Sequence, residues 1–240
     1  MAQKKRSSSK SKQSFTKKLS SILTRIFVWF LLVSVLWVLI YRFLDPPITL
    51  LMVLRNIERK SEGKPLKLEK KWVDFDDISD NMKRAAVSAE DQLFLNHIGF
   101  DVKAIEKAFE TNKNSKRIKG GSTISQQTAK NVFLWPGRSW VRKGFEAYFT
   151  LLIEAFWSKE RILEVYLNVI EMGDGIYGAE AAAQAYFGKS CTKLTRSQAA
   201  LIAACFPNPR KWSPKNPTRY IKHRQYLIMR NMKRLGPLDF

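Results

Sequence analysis

Residues 139–173 read SWVRKGFEAYFTLLIEAFWSKERILEVYLNVIEMG, and they decide the fold class. The stretch predicts two consecutive helices, Ser139 to Trp157 and Ser158 to Met172, the second capped by the Ser158 hydroxyl and stopped at Gly173. Upstream, Ser79 or Asp80 can cap a helix through Met82, Ala85, Ala86, Ala89 and Leu93, whose apolar side chains return every three or four residues. Thr123 with Gln126, and Thr195 with Gln198, have the spacing of a capping box, in which hydroxyl and amide each satisfy the other's backbone N–H. No well-alternating strand series and no internal repeat interrupts this pattern, so the soluble part is expected to be mainly α.

The 240 residues carry 42 Lys and Arg against 21 Asp and Glu, a formal net charge of +21, and 45% are hydrophobic. That composition can build a core and holds a single long apolar run, which excludes a disordered tail protein, a fibrous repeat and a polytopic membrane protein. Cys191 and Cys205 are too few for a disulfide framework, and each lies among small or apolar residues as packed free thiols do; their pairing stays open. The charge is uneven. Residues 1–25 hold Lys4, Lys5, Arg6, Lys10, Lys12, Lys17, Lys18 and Arg25 with no acid, which leaves +13 for the remainder. Rich in serine and poor in apolar residues up to Phe15, this tail is expected to be disordered.

Ile26–Tyr41, IFVWFLLVSVLWVLIY, has sixteen residues without a charge, and Phe43-Leu44 extend it to nineteen with only Arg42 interrupting. At about 1.5 Å per residue this approaches the roughly 30 Å hydrocarbon core of a bilayer. Its all-round apolarity argues against a buried soluble helix, and Arg42-Phe43-Leu44-Asp45-Pro46-Pro47 is no small-residue cleavage site, so it reads as an uncleaved anchor. The cations before it predict a cytoplasmic N-terminus and an extracytoplasmic remainder. After Pro46-Pro47, Ile48–Leu54 is apolar but too short to span; it is core, or it rests on the membrane surface, the reading favoured because it directly follows the anchor. The expected organisation is a basic cytoplasmic tail (1–25), an anchor (26–44), a membrane-proximal segment (45–71) and a globular domain (72–240).

Several short motifs carry no chemistry. Asp74-Phe75-Asp76 has a metal-binding pattern of nucleotide-sugar enzymes but no Rossmann-like strand and glycines around it. Ser-x-x-Lys at 61–64 and 190–193, with Ser79-Asp80-Asn81, imitates penicillin-binding motifs, yet Lys-Thr-Gly is missing and fewer than seventy residues follow position 172. Leu194–Phe206 resembles the first helix of a helix-turn-helix, but Pro207, Pro209 and Pro214 forbid an immediate recognition helix.

Other segments are richer. Glu90 lies between AAVSA and Leu93-Phe94, where partial burial would raise its pKa toward that of a useful general base; taken alone, such a Glu-Asp pair is more often a helix-surface carboxylate that caps or pairs locally. Glu146 follows Arg142 by four residues and Lys143 by three, so one helical face sets a carboxylate beside two cations, which as a solvated ion pair would be worth little. GGSTISQQ, 120–127, puts two glycines and hydroxyl residues ahead of a helix start and so offers backbone N–H groups to an anion, with Lys130 and Arg138 following. Lys113, Lys116, Arg117 and Lys119 precede it in a polar stretch expected to form a mobile lid. His97 is a hydrogen-bonding support rather than a metal ligand, since His223 is the only other histidine.

Taken in order, EDQLFLNHIGFD (90–101), GGSTISQQ (120–127) and Arg142-Lys143 with Glu146, then SKERILEVYLN (158–168), resemble the monofunctional biosynthetic peptidoglycan transglycosylases of glycosyltransferase family 51. The resemblance runs from about Trp72 to Trp212 and includes GIYGAEAAAQAYFGKS (175–190); Ser125 stands where the family usually has threonine and keeps the hydroxyl. It implies a lysozyme-like helical catalytic domain with a smaller membrane-proximal lobe, to which Ile48–Lys71 contribute, behind one transmembrane helix. The implied reaction polymerises lipid II into glycan strands by inverting attack of an acceptor 4-hydroxyl on C1 of a polyprenyl-diphosphate-linked donor. Glu90 is then the general base and Glu146 the second catalytic carboxylate. The implied substrate-binding set is Asp91, Phe94, His97, Gly121, Ser122, Thr123, Gln126, Gln127, Lys130, Asn131, Arg138, Arg142 and Lys143. A diphosphate leaves without a proton, so cations can replace the acid of a glycoside hydrolase.

The resemblance leaves room for one cofactor, a divalent cation (Mg or Mn) with Glu146 as its candidate ligand, and for no nucleotide or organic cofactor. The partners it implies are lipid II, the growing lipid-linked strand, the membrane, and other cell-wall synthesis or division proteins, but no nucleic acid. The expected place is the bacterial cytoplasmic (inner) membrane, single-pass, with the catalytic domain periplasmic. A membrane-bound lytic muramidase is the nearest alternative and is disfavoured by the paired glutamates and the cations. A non-catalytic anchored binder of lipid headgroups or other anions leaves GGSTISQQ unexplained.

Overall fold

A computed structural model describes residues 4–113, 120–137 and 139–240. The chain divides at Leu44/Asp45 into two compact units. The first is a single helix, α1 (Lys4–Phe43). Its segment Lys17–Phe43 is long and apolar enough to cross a membrane, and Phe27, Trp29, Leu32 and Leu36 are exposed along it. The helical backbone continues back through the basic residues to Lys4, against the disorder expected there. Extending an existing helix costs far less than nucleating one, and residues 4–25 contain no glycine or proline to stop it.

The second unit, residues 45–240, is mainly α. Along the chain come α2 (Leu50–Ser61), β1 (Glu69–Lys70), α3 (Asp80–Glu90), α4 (Val102–Lys113), α5 (Ile124–Phe133), α6 (Trp140–Phe156) and α7 (Lys159–Val169). Then follow β2 (Glu171–Gly173), β3 (Ile176–Tyr177), α8 (Ala179–Phe187), α9 (Arg196–Cys205) and α10 (Arg219–Leu235). Ser79, Thr123, Ser139, Ser158, Thr195 and Thr218 each accept a backbone N–H three residues on, and Thr123/Gln126 and Thr195/Gln198 complete capping boxes. α3, α9 and α10 pack on one another, and α5 packs on α6 and α7. Ala85 and Ala86 of α3 and Ala199, Ala200 and Ala203 of α9 are all fully buried, and such small side chains let these two packed helices close up.

Two helices end earlier than their periodicity indicates. α3 stops at Glu90 rather than Leu93, because Asp91 leaves helical geometry to reach another element. α7 stops at Val169, because residues 171–173 are drawn into a small sheet of order β1-β3-β2. Glu69 pairs with Ile176 in a parallel ladder and Glu171 with Tyr177 in an antiparallel one. Strands of two or three residues have no room for an alternating pattern, so the sequence does not announce them.

Residues 45–71 belong to the same compact unit as the rest. Besides β1, Arg59 donates to Pro65 O (2.9 Å) and to Asp174 Oδ2 (2.5 Å), and Asn56 Oδ1 accepts from Lys67 N. The apolar stretch at 48–54 divides its faces: Met52 is fully buried, while Ile48, Leu50 and Val53, with Ile57 beyond them, are exposed. Asn168, also fully buried, accepts from Val73 N and donates to Val73 O, both at 2.9 Å, and so fixes the chain ahead of α3. Cys191 and Cys205 are free, and burial pushes their thiols up to about 12 and about 11.

Candidate active site

Glu90 is the last residue of α3, where the helix ends against α5. Its half-buried carboxylate accepts from Gln127 Nε2 at 2.8 Å, and Gln127 Oε1 in turn accepts from the buried Tyr166 hydroxyl at 3.5 Å. Burial raises the pKa of Glu90, against the opposing pull of the Gln127 hydrogen bond and of the charges of Arg224 and Lys130. A cleft of about 260 Å³ opens beside it, lined by residues 88–92, Asp101, Ala104 and the stretch Gly120 to Thr123.

Asp91 turns away from its neighbour. Its oxygens lie 2.9 and 3.1 Å from His97 Nε2, and Oδ2 accepts from Ile124 N at 3.0 Å. Thr123 Oγ1 donates to Gly99 O (2.6 Å), Thr123 N donates to Gln126 Oε1, and Gln126 N donates to Thr123 Oγ1. At the α5 N-terminus the N–H groups of Thr123, Ile124 and Gln126 are therefore engaged within the protein. A buried carboxylate already caps it, and the capping box consumes two more of its N–H groups. Through these bonds Asp91, His97 Nε2, Thr123 and Gln126 shape the frame of the cleft. Phe94 is fully buried and also belongs to the frame. Gly121 and Ser122 keep their place at the cleft.

α5 carries Lys130 from its last turn toward both glutamates. Burial lowers the Lys130 pKa, opposed first by Glu146 and then by Glu90, while Arg142 and Lys143 add to the lowering. Among the described residues Lys130 has no ion pair within 4.0 Å, so its ammonium is available to an incoming anion. Asn131, the next residue on α5, is buried. Glu146, at 3% exposure, accepts from Arg142 Nη1 at 2.9 Å and Lys143 Nζ at 2.5 Å, the i,i+4 and i,i+3 pairs expected on α6. Arg138, Lys116, Arg117 and Lys119 lie outside the described residues.

A divalent ion finds a poor donor set here. Each Glu146 oxygen is already taken by a cation, and no three His, Cys, Asp or Glu side chains converge as a metal site among the described residues. The residues around Glu146 therefore do not fit such an ion.

Three contributors are not singled out by sequence reasoning: Tyr166 behind Gln127, Arg224 from α10, and the half-buried pair Glu154–Lys159 (2.8 Å). Lys159 left one signal. It occupies the first turn of α7, where the helix dipole disfavours a cation, so its charge is needed elsewhere.

Comparison with known proteins agrees with this geometry. A family model described as transglycosylase matches residues 59–233. A biosynthetic peptidoglycan transglycosylase of Pseudomonas fluorescens is 50% identical over 218 residues, covering 91% of both chains. One of Pseudomonas putida is 50% identical over 214 residues, covering 89% of this chain and 91% of its own. One of Stutzerimonas stutzeri is 49% identical over 214 residues, 89% and 88% respectively. With the match spanning α2 to α10 and every element that carries Glu90, Lys130 and Glu146, the chain belongs to the transglycosylase family.

Proposed function

We propose that this protein polymerises lipid II into peptidoglycan glycan strands, transferring a polyprenyl-diphosphate-linked glycan to the 4-hydroxyl of a lipid II acceptor with inversion. The observation that carries this reading is an uncommitted Lys130 set between two glutamates of different character. Glu90, whose affinity for a proton is raised by burial, removes the proton from the acceptor hydroxyl as that oxygen attacks C1. Gln127 holds one carboxylate oxygen, leaving the other for the substrate. Lys130 receives the charge that develops on the departing diphosphate, and Arg138 from the following connection joins it. Glu146 keeps Arg142 and Lys143 fixed beside that charge rather than meeting it itself.

The apolar segment of α1 fits a single-pass membrane anchor. The cations that precede it support a cytoplasmic N-terminus, with residues 45–240 on the periplasmic face of the inner membrane. There the exposed Ile48, Leu50, Val53 and Ile57 rest against the bilayer that holds both lipid-linked substrates. Other cell-wall synthesis or division proteins are the further partners this role implies.

The test is direct. Purified protein incubated with lipid II is expected to release polyprenyl diphosphate and form polymer, and to leave lipid-free peptidoglycan uncut. A muramidase must protonate a sugar oxygen, a role that Glu146, with both oxygens accepting from cations, does not suit, so the assay with lipid-free peptidoglycan decides whether Glu90 acts as base or as acid. Soluble muropeptides from peptidoglycan with no polymer from lipid II would overturn the assignment.

A further inference from the structure

Lys159 opens α7 and does not line the cleft, yet three elements of the site meet at its ammonium. Nζ donates to His97 O at 2.7 Å, within the loop that leaves Glu90, and to Glu154 Oε1 at 2.8 Å. It also lies 4.7 Å from the ring centroid of the buried Phe94. Glu154 belongs to α6, two turns beyond Glu146, and its Oε1 accepts in addition from the Ser125 hydroxyl of α5 at 2.5 Å. The loop, the Lys130 helix and the Glu146 helix are thus tied through one half-buried ion pair, with side-chain exposures of 22% for Lys159 and 5% for Glu154. Nothing local favours this arrangement. A cation in the first helical turn opposes the dipole, and burying an ion pair costs desolvation that its attraction seldom exceeds.

The loop needs such a tie. Between Asp91 and Gly99 it has no regular α-helix or strand, and Gly99, at φ +74°, lies so close to α6 that a Cβ there would stand 2.6 Å from Thr150 Cγ2. Asp91 and Thr123 anchor the loop to the start of α5, but among the described residues only Lys159 bonds both its backbone and a side chain of α6.

We propose that Lys159 is a positioning residue for the transferase reaction: it straps the Glu90 loop to α5 and α6, so that base, Lys130 and Glu146 keep one mutual geometry. This rests on the polymerase reading of the site. A displacement of about 1 Å between reacting groups costs on the order of 10²-fold in rate, so the strap should show in turnover rather than in substrate affinity.

Lys159→Met keeps the aliphatic stem and removes the charge. With lipid II as substrate, kcat is expected to fall about ten- to a hundredfold while KM stays within about threefold. Because this variant leaves Glu154 buried without its cation, the double variant Glu154→Gln/Lys159→Met is measured beside it. It keeps an acceptor for Ser125, regains thermal stability, and is expected to stay slow. Lys159→Cys alkylated with 2-bromoethylamine, which rebuilds an ammonium of nearly the same reach, is expected to recover turnover; wild-type protein treated identically controls for Cys191 and Cys205. Should Lys159→Met not fold, the double variant and the alkylated cysteine carry the same comparison. A kcat within about twofold of wild type in Lys159→Met, or full recovery in the double variant, overturns the strap, since Lys159 would then only neutralise Glu154. Wild-type protein that makes no polymer overturns the function itself, a result distinct from variants as active as a working wild type.

Discussion

Replacing Glu90 by glutamine should separate catalysis from stability. Gln127 Nε2 donates to Glu90 Oε2 at 2.8 Å, and a glutamine at 90 can turn its amide oxygen to the same donor, so packing is kept. The other carboxylates nearby are held in other roles: Asp91 is engaged with His97 and Ile124 N, Asp101 accepts from Ala104 N at the start of α4, and Glu146 is engaged with Arg142 and Lys143. Losing a general base costs about 10²- to 10⁴-fold. With those carboxylates so held, turnover should fall by about 10³-fold or more, roughly 4 kcal/mol at about 1.4 kcal/mol per tenfold.

Stability should move the other way. Burial, the largest influence, raises the folded-state pKa of Glu90, against the hydrogen bond from Gln127 and the charges of Arg224 and Lys130. A folded pKa above the unfolded one gives stability that is complete below the unfolded pKa and lost as pH rises through the folded pKa. The glutamine variant never ionises, so its Tm should gain on that of wild type between about pH 4 and about pH 8. Consumption of fluorescent lipid II in detergent, with thermal melts at both pH values, measures the two effects on one preparation. A folded variant within about tenfold of wild-type turnover removes Glu90 from the base role. A Tm difference that shrinks toward neutral pH contradicts the burial argument.

Three further outcomes are expected. Lys130→Ala and Arg138→Ala should each slow polymerisation, Lys130→Ala by about 10²-fold, whereas neutralising the lysines before residue 19 should leave turnover in detergent unchanged; the reverse pattern would sink the cation assignment. Asn168→Ala leaves the backbone N–H and C=O of Val73 without their buried partner and should cost about 2–4 kcal/mol in urea unfolding, and a loss below about 1 kcal/mol would mean that Val73 has other partners. Gly99→Ala places a Cβ 2.6 Å from Thr150 Cγ2 at φ +74°, so both Tm and turnover should drop, and an unchanged Tm would show that the loop and α6 can separate without cost.

Helix starts and the cation pair on Glu146 could be read from the chain because each depends on residues within one or two turns of one another, and the apolar helix because its run of side chains is continuous. Ser158 caps α7, Thr123 and Gln126 close their box, and Arg142 meets Glu146 one turn on, as spacing alone requires. The extent of α1 was not legible in the same way, because helix propagation carried the tail beyond what its composition indicates. The roles around Glu90 were decided only by the tertiary structure. Asp91 caps a helix 33 positions away, Gln127 reaches Glu90 across 37, and Lys159 holds His97 O across 62. Such partners are chosen by how helices pack, and packing depends on the fit of whole faces, such as the alanines of α3 against those of α9, rather than on the identity of any one polar residue. For the same reason the sequence could place GGSTISQQ at a helix start but could not show that Asp91, from the end of another helix, accepts from its Ile124 N–H.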